Sequence, residues 1–272
     1  MKSDAFLKIG RIVVVLFLFV GMMSCREVSS PGPDMGMVLI PAGEFMMGGG
    51  EDDEKPVHLV KLDSFYIDSC EVTQEEYEGL MGKNPSKFKL PDRPVERLSW
   101  MGIARYCNVR SVSEGFIPCY DPDTWQCNFD ADGYRLPTES EWEYACRAGR
   151  KTEWFFGLDV ASLERHAWFK DNASKKTHPV GQKKPNSWGL YDMHGNVAEW
   201  CNDFYDGTYY ERSLTENPRG PSSGKERVLR GGSWASSGDA CRSSARTSET
   251  PGLADVCFGY ETYGFRCVRK AD

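Results

Sequence analysis

RVLRGGSWASSGDACRSSARTSETPGLADVCFGYETYGFRCVR, from Arg227 to Arg269, decides how this chain is read. Three blocks, GGSW, CRSSAR and GFR, form a frame around two stretches that follow neither the period of a strand nor that of a helix. The first stretch, Ala235 to Ala240, is small and polar. The second, Leu253 to Tyr263, mixes Leu253, Asp255, Val256, Cys257, Phe258 and Tyr260 in no regular order. Irregular chain held in a fixed frame suits the presentation of side chains to a partner.

Upstream of this segment, local signals are stronger. Alternating runs predict strands over Met37–Ile40, Glu44–Met47, Val57–Leu62 and Phe65–Ile67. Thr73 with Glu76, and Thr138 with Glu141, are capping boxes, in which hydroxyl and carboxylate each satisfy a backbone N–H of the first turn. The first opens a helix ending near Met81. The second opens a helix on which Trp142, Ala145 and Cys146 share a face. Ser99 caps a further helix through about Arg110. After Ala148 the chain is dense in Gly, Pro, Trp and Asn and loses regular period. The expected class is α+β, with short strands, few helices and high irregular content.

The N-terminus reads as a targeting segment. Lys2, Lys8 and Arg11 flank an apolar run, Ile12 to Val20, followed by Gly21–Ser24 and Cys25. The run is shorter than the roughly 20 residues a spanning helix needs. Residues 1–24 are therefore expected to be a signal peptide and 25–36, rich in Ser, Pro and Gly, a tether. Residues 37–272 are expected to form one domain with a candidate variable segment over 227–263. Met22-Met23-Ser24-Cys25 resembles a bacterial lipobox, with Met a relaxed match at its first position. That resemblance implies cleavage before Cys25, lipid on Cys25, and attachment to a bacterial outer membrane or cell surface. The alternative is an ordinary cleaved signal with an incidental cysteine.

A formal charge of −7 argues against nucleic acid as a partner, because phosphate contacts require a basic face. Eight tryptophans give ample material for a core. Ten cysteines behind a secretory segment suggest an oxidising location. Cys119 and Cys127 flank a turn-rich segment and are placed to close a short loop. The alternative is that the cysteines are buried thiols packing as small hydrophobes.

Several longer motifs resemble the formylglycine-generating-enzyme superfamily: GYRLPTESEWEYACRAG (Gly133–Gly149), NSWGLYDMHGNVAEW (Asn186–Trp200), RVLRGGSW (Arg227–Trp234) and YGFRCVR (Tyr263–Arg269). EVTQEEYEGLMGKNPSKF (Glu71–Phe88) and RPVERLSWMGIARYCN (Arg93–Asn108) add to the match. The resemblance implies a variant of the C-type-lectin fold. In the oxidases of this family two cysteines do the chemistry, one shortly after the GGS-aromatic block and one five residues later. Here the second residue after Trp234 is Ser236, and the next cysteine, Cys241, lies directly before Arg242 of the RSSAR segment, which in the family frame is past the pair. A hydroxyl does not replace a soft thiolate toward copper. The branch that binds iron through histidines is disfavoured too, since His58, His166, His178 and His194 show no ligand spacing.

The resemblance reaches further, to the non-enzymatic variable proteins of diversity-generating retroelements, in which a C-terminal face is rewritten by adenine-directed mutagenesis. It implies ligand-binding, variable positions at Ala235, Ser236, Ser237, Asp239, Ala240, Leu253, Asp255, Val256, Cys257, Phe258 and Tyr260. Each can arise from an Asn codon changed at its first two bases. Glu249 and Glu261 cannot, and belong to the frame. The partner would be a protein or other surface ligand. The family's calcium loop maps onto DMHGNVAEW, with Ca2+ held by Asp192, the carbonyls of Gly195 and Val197, and Glu199. The alternative for Asp192 and Glu199 is a hydrogen-bonded turn without metal. The alternative for the whole chain is a formylglycine-generating oxidase.

Overall fold

The computed structural model describes residues 36–252, 257 and 259–271. Cys25, Leu253, Asp255, Val256 and Phe258, with the expected signal peptide and most of the tether, lie outside the described residues. Strand β1 (Met37–Ile40) pairs antiparallel with β4 (Phe65–Asp68), and β4 with β9 (Val268–Lys270), so the two ends of the body meet in one sheet. Strands β2 (Gly43–Met47) and β3 (His58–Leu62) form a separate hairpin ladder. The third sheet has the order β7-β6-β5-β8. Its members are β5 (Ala198–Phe204), β6 (Arg227–Arg230), β7 (Arg246–Glu249) and the short β8 (Tyr263–Gly264). Strand β8 runs parallel to β5, and the other neighbours are antiparallel.

The three helices of the described residues start where their caps predict. Helix α1 (Gln74–Met81) and helix α3 (Glu139–Arg147) each carry the full reciprocal capping box. Ser99 accepts from the Gly102 N–H at the head of α2 (Trp100–Glu114). Helix α2 runs one turn beyond the expected Arg110, to Glu114, because Gly115 rather than Arg110 ends it. The predicted face of α3 is buried, but so is every other residue of that helix.

The core lies in two main clusters. One joins α1 and α2 to Trp200, Leu229 and Phe265, and the other joins β1–β4 to Trp142, Val228 and Val268. Trp100, Trp142 and Trp200 are fully buried, each such side chain contributing about 1.5–3 kcal/mol through apolar burial. The indole of Trp100 donates to the Cys201 carbonyl at 2.9 Å, and that of Trp142 to Glu199 at 2.8 Å. Cys119 and Cys127 are thiols rather than a bridged pair, and the Cys119 thiol donates to the Gly133 carbonyl.

The charges on α3 are satisfied by arginines from distant segments. Glu139 takes a two-pronged contact from Arg246 at 2.8 and 2.7 Å, and Glu141 takes one from Arg135 at 2.7 and 2.6 Å. Glu143 accepts from Arg147 and from the fully buried Arg230. Removing one partner of such a pair leaves a charge without compensation inside the protein. We expect Glu143→Gln to cost about 3–5 kcal/mol of unfolding free energy, read by urea denaturation.

Asp203 supplies a pH signature. Burial, reinforced by the charge of Glu139, pushes its pKa up from 3.8 to about 8. The folded state therefore holds a proton that the unfolded chain releases. The stability Asp203 contributes is complete below 3.8 and is lost as pH rises through about 8. The fall in melting temperature between about pH 5 and about pH 8 should be smaller in Asp203→Asn than in the parent.

Candidate functional site

A cavity of about 330 Å³ opens beside the GGSW block. Its floor and walls are mostly small: Ala198 on β5, Leu229 on β6, Gly231, Gly232, Ala235 and Ala240. Ser233, Ser236, Thr247, Thr262 and Tyr263 add hydroxyls, and Arg246 stands at its side. Gly231 and Gly232 both have positive φ, at 85° and 69°. At Gly232 a Cβ would sit 2.7 Å from the Cys241 sulfur and 2.9 Å from the Ala240 carbonyl oxygen. Glycine is therefore required there for the chain to turn under its own next loop.

The frame is anchored at both ends of the first irregular stretch. Before it, Arg230 is held by Glu143, and the Trp234 N–H donates to the Asn196 carbonyl. The Trp234 indole donates to the Glu261 carbonyl, and its ring meets Phe88 edge-on. After it, Arg242 makes a two-pronged contact with Glu54 at 3.0 and 2.8 Å. Between these anchors Ala235, Ser237, Asp239 and Ala240 are exposed. Ser236 is half-buried, and its hydroxyl accepts from the Ser233 N–H at 3.0 Å, closing a local turn. Leu158 and Val160 are exposed apolar side chains on the neighbouring segment, and Val160 approaches Gly238.

The second stretch divides differently. Tyr260 is half-buried, tilted against Trp200 and Tyr263, with its hydroxyl donating to the Thr250 carbonyl at 2.8 Å. It is tied to the frame more closely than an exchangeable anchor would be. Cys257 is half-buried, and its N–H donates to the Arg97 carbonyl at 2.9 Å. Glu261, assigned to the frame, binds Arg97, whose guanidinium holds its carboxyl below the usual range. Glu249, the other frame residue, accepts from Thr250 and Tyr263.

The cysteines beneath the first stretch are buried thiols. Cys241 is fully buried, and burial pushes its pKa up to about 12. Cys146, under the same loop, is also pushed up to about 12, and neighbouring His194 is drawn down to about 3 by burial. Both members of that contact are held neutral.

Of the expected calcium ligands, Glu199 is committed to a guanidinium, and Asp192 keeps one buried carboxylate oxygen, Oδ1, with no hydrogen-bond partner among the described residues. Both carboxylate oxygens of Glu199 are engaged, each by Arg266 at 2.7 Å, and one also by the Trp142 indole. A guanidinium already supplies the positive charge a metal would bring. The Val197 N–H donates to Glu71, and Gly195 packs so tightly that a Cβ would overlap the Trp168 carbonyl. Asp192 accepts from the Gly181 N–H at 2.7 Å, and burial lifts its pKa to about 6. Among the described residues no group of three or more His, Cys, Asp or Glu is arranged to hold a metal. Glu199 thus sits in a buried ion pair and Asp192 in a hydrogen-bonded turn.

Sequence reasoning found the small residues of the 235–240 stretch but missed the walls brought by Ala198, Leu229, Thr247 and Thr262. Leu229 and Thr247 come from four-residue strands, Ala198 opens the doubly buried β5, and Thr262 lies in the turn before β8. The one signal for them was the run of small residues, ASSGDA and SSAR, which leaves space that bulkier segments would fill.

Comparison with known proteins places this geometry. The chain is 34% identical over 260 residues to chaperone protein LppX of Paenibacillus barcinonensis, covering 83% of this chain and 88% of that one. It is 34% identical over 309 residues to the formylglycine-generating enzyme of Streptomyces coelicolor, covering 92% of this chain and 96% of that one. It is 35% identical to the serine/threonine-protein kinase pkn1 of Chlamydia pneumoniae, with 90% of this chain aligned, but spans only 40% of that protein's length. Among solved structures, variable protein 1 of Treponema denticola superposes with a TM-score of 0.80 at 34% identity, over 86% of this chain and 95% of that one. The family described as the sulfatase-modifying factor enzyme 1-like domain matches residues 26–271. The chain belongs to that family, with its formylglycine-generating-enzyme type of C-type-lectin fold.

Proposed function

We propose that this protein is a non-enzymatic binding protein that offers an interchangeable face to a surface ligand. The face comprises Ala235, Ser236, Ser237, Asp239 and Ala240, together with the positions between Leu253 and Tyr260. The observation that carries the proposal is the division of labour around Ala235–Ala240. Every arginine that bounds the stretch is held by a carboxylate from elsewhere, while four of its residues are exposed beside a small-walled cavity. Side-chain identity at such positions is decoupled from folding, and a preorganised loop loses less entropy on binding. The exposed Val160, against Gly238, gives the stretch an apolar neighbour that a partner would cover. Likeness to variable protein 1 of Treponema denticola supports diversification by a retroelement. Lipid on Cys25 would hold the protein to an outer membrane or cell surface, the site at which such a face meets partners.

A formylglycine-generating oxidase is the second reading, favoured by the 34% identity to the Streptomyces coelicolor enzyme. The two diverge at Ser236 and Cys241. Purified protein incubated with copper and a cysteine-containing sulfatase peptide should leave that peptide unchanged by mass spectrometry. Copper-dependent loss of the cysteine would establish the oxidase instead.

A panel combining substitutions at Ala235, Ser237, Asp239 and Ala240 should unfold within about 0.5 kcal/mol of the parent per site by chemical denaturation. In sister isolates carrying an active retroelement, coding differences within Arg227–Tyr263 should fall at the proposed positions and spare Glu249 and Glu261. Identical sequences throughout that segment would remove diversification from the proposal.

A further inference from the structure

We infer that a second groove, between the segment around Trp125 and the chain from Arg219 to Arg227, binds a small oxyanion, a carboxylate or a phosphate. The groove holds about 360 Å³, and no Asp or Glu lines it. The chain as a whole is acidic, and most of the buried arginines face glutamate, so a lining with two arginines and no acid stands apart.

The two arginines are held by rings rather than by carboxylates. The Arg227 guanidinium lies between Trp100 and Phe204, 3.8 and 3.5 Å from their ring centroids. One of its terminal nitrogens donates to the Asn202 carbonyl. Its Nε is buried and has no hydrogen-bond partner among the described residues. Desolvation draws its pKa down to about 10, the sign of a cation short of counter-charge. Arg219 lies 4.1 Å from the Phe129 ring centroid, is exposed, and has no ion pair among the described residues.

Neutral donors complete the lining. The Asn202 side-chain oxygen accepts from the Tyr120 hydroxyl at 3.0 Å, which leaves its NH2 group to donate. Ser222 and Ser223 add hydroxyls at the rim. Trp125 forms a flat wall, and its backbone is held in the left-handed region at φ 59°. That conformation is unfavourable for a bulky residue. It is enforced by the Trp125 N–H donating to the Asp121 carbonyl and by Asp121 Oδ1, which accepts from the Asp123 and Thr124 N–H groups. A carboxylate or a phosphate accepts the paired N–H groups of a guanidinium in a fork, and the neighbouring amide and hydroxyls would fill its other lone pairs.

The test uses the full chain labelled with 15N. The arginine Nε–H resonance of Arg227 is followed while inorganic phosphate, acetate or chloride is added at constant ionic strength. A saturable shift with phosphate or acetate, absent with chloride, is expected, and the tighter of the two identifies the oxyanion class. Arg219→Gln should weaken the apparent affinity by about tenfold or more while leaving the melting temperature unchanged, because Arg219 is exposed and makes no ion pair. Arg219→Lys should recover only part of the loss, since an ammonium lacks the fork. An equal response to chloride, no shift at tens of millimolar anion, or an unaltered affinity in Arg219→Gln would each overturn the inference.

Discussion

Buried pairing between arginine and glutamate is the constraint from which the rest of this structure follows. Helix α3 carries glutamates at 139, 141 and 143. Residues four apart on a helix share a face, so Glu139 and Glu143 point together toward Arg246 and Arg230, and Glu141 turns to Arg135. On β5, Glu199 does the same for Arg266. Each pair is nearly or wholly removed from water. Such pairs are not a large net source of stability compared with apolar residues of the same volume. What they supply is specificity: a chain that folds in any other register leaves several charges stranded.

This explains why so little regular structure supports so long a chain. The strands are two to seven residues long, and the connections between them are irregular. A loop needs its backbone groups satisfied and its ends fixed, and here the arginines of the C-terminal segment do the fixing. Arg230, Arg242, Arg246 and Arg266 each reach a carboxylate contributed by an earlier part of the sequence. The last forty residues thus lie on a frame assembled by everything before them. Between Arg230 and Arg242, Ala235, Ser237, Asp239 and Ala240 are exposed, whereas Cys241, Ser243, Ser244 and Phe265 further along are buried.

Local signals were legible in the sequence and long-range ones were not. The capping boxes at Thr73 and Thr138 and the cap at Ser99 depend on residues three apart, and the helices begin where those residues stand. The arginines that neutralise the charges of α3 lie up to about a hundred residues away in sequence, beyond the reach of any local pattern. Strand β5 was hidden by burial on both sides, which erases alternation, and β6 to β9 by their shortness. At the candidate site, the small residues after GGSW were visible as an irregularity. The partner of Glu199, Arg266, is likewise remote, 67 positions further on.

The segment that follows β7 has one more property. Its two ends are hydrogen-bonded to the same short stretch of the N-terminal half: the Trp100 N–H donates to the Pro251 carbonyl, and the Arg97 N–H to the Tyr260 carbonyl. Both feet of the excursion therefore stand on one support. Closing a longer loop between fixed feet adds only about 0.6 kcal/mol for each doubling of its length. Insertions and deletions in that excursion are accordingly cheap, and this part of the molecule is free to differ between relatives in size as well as in composition.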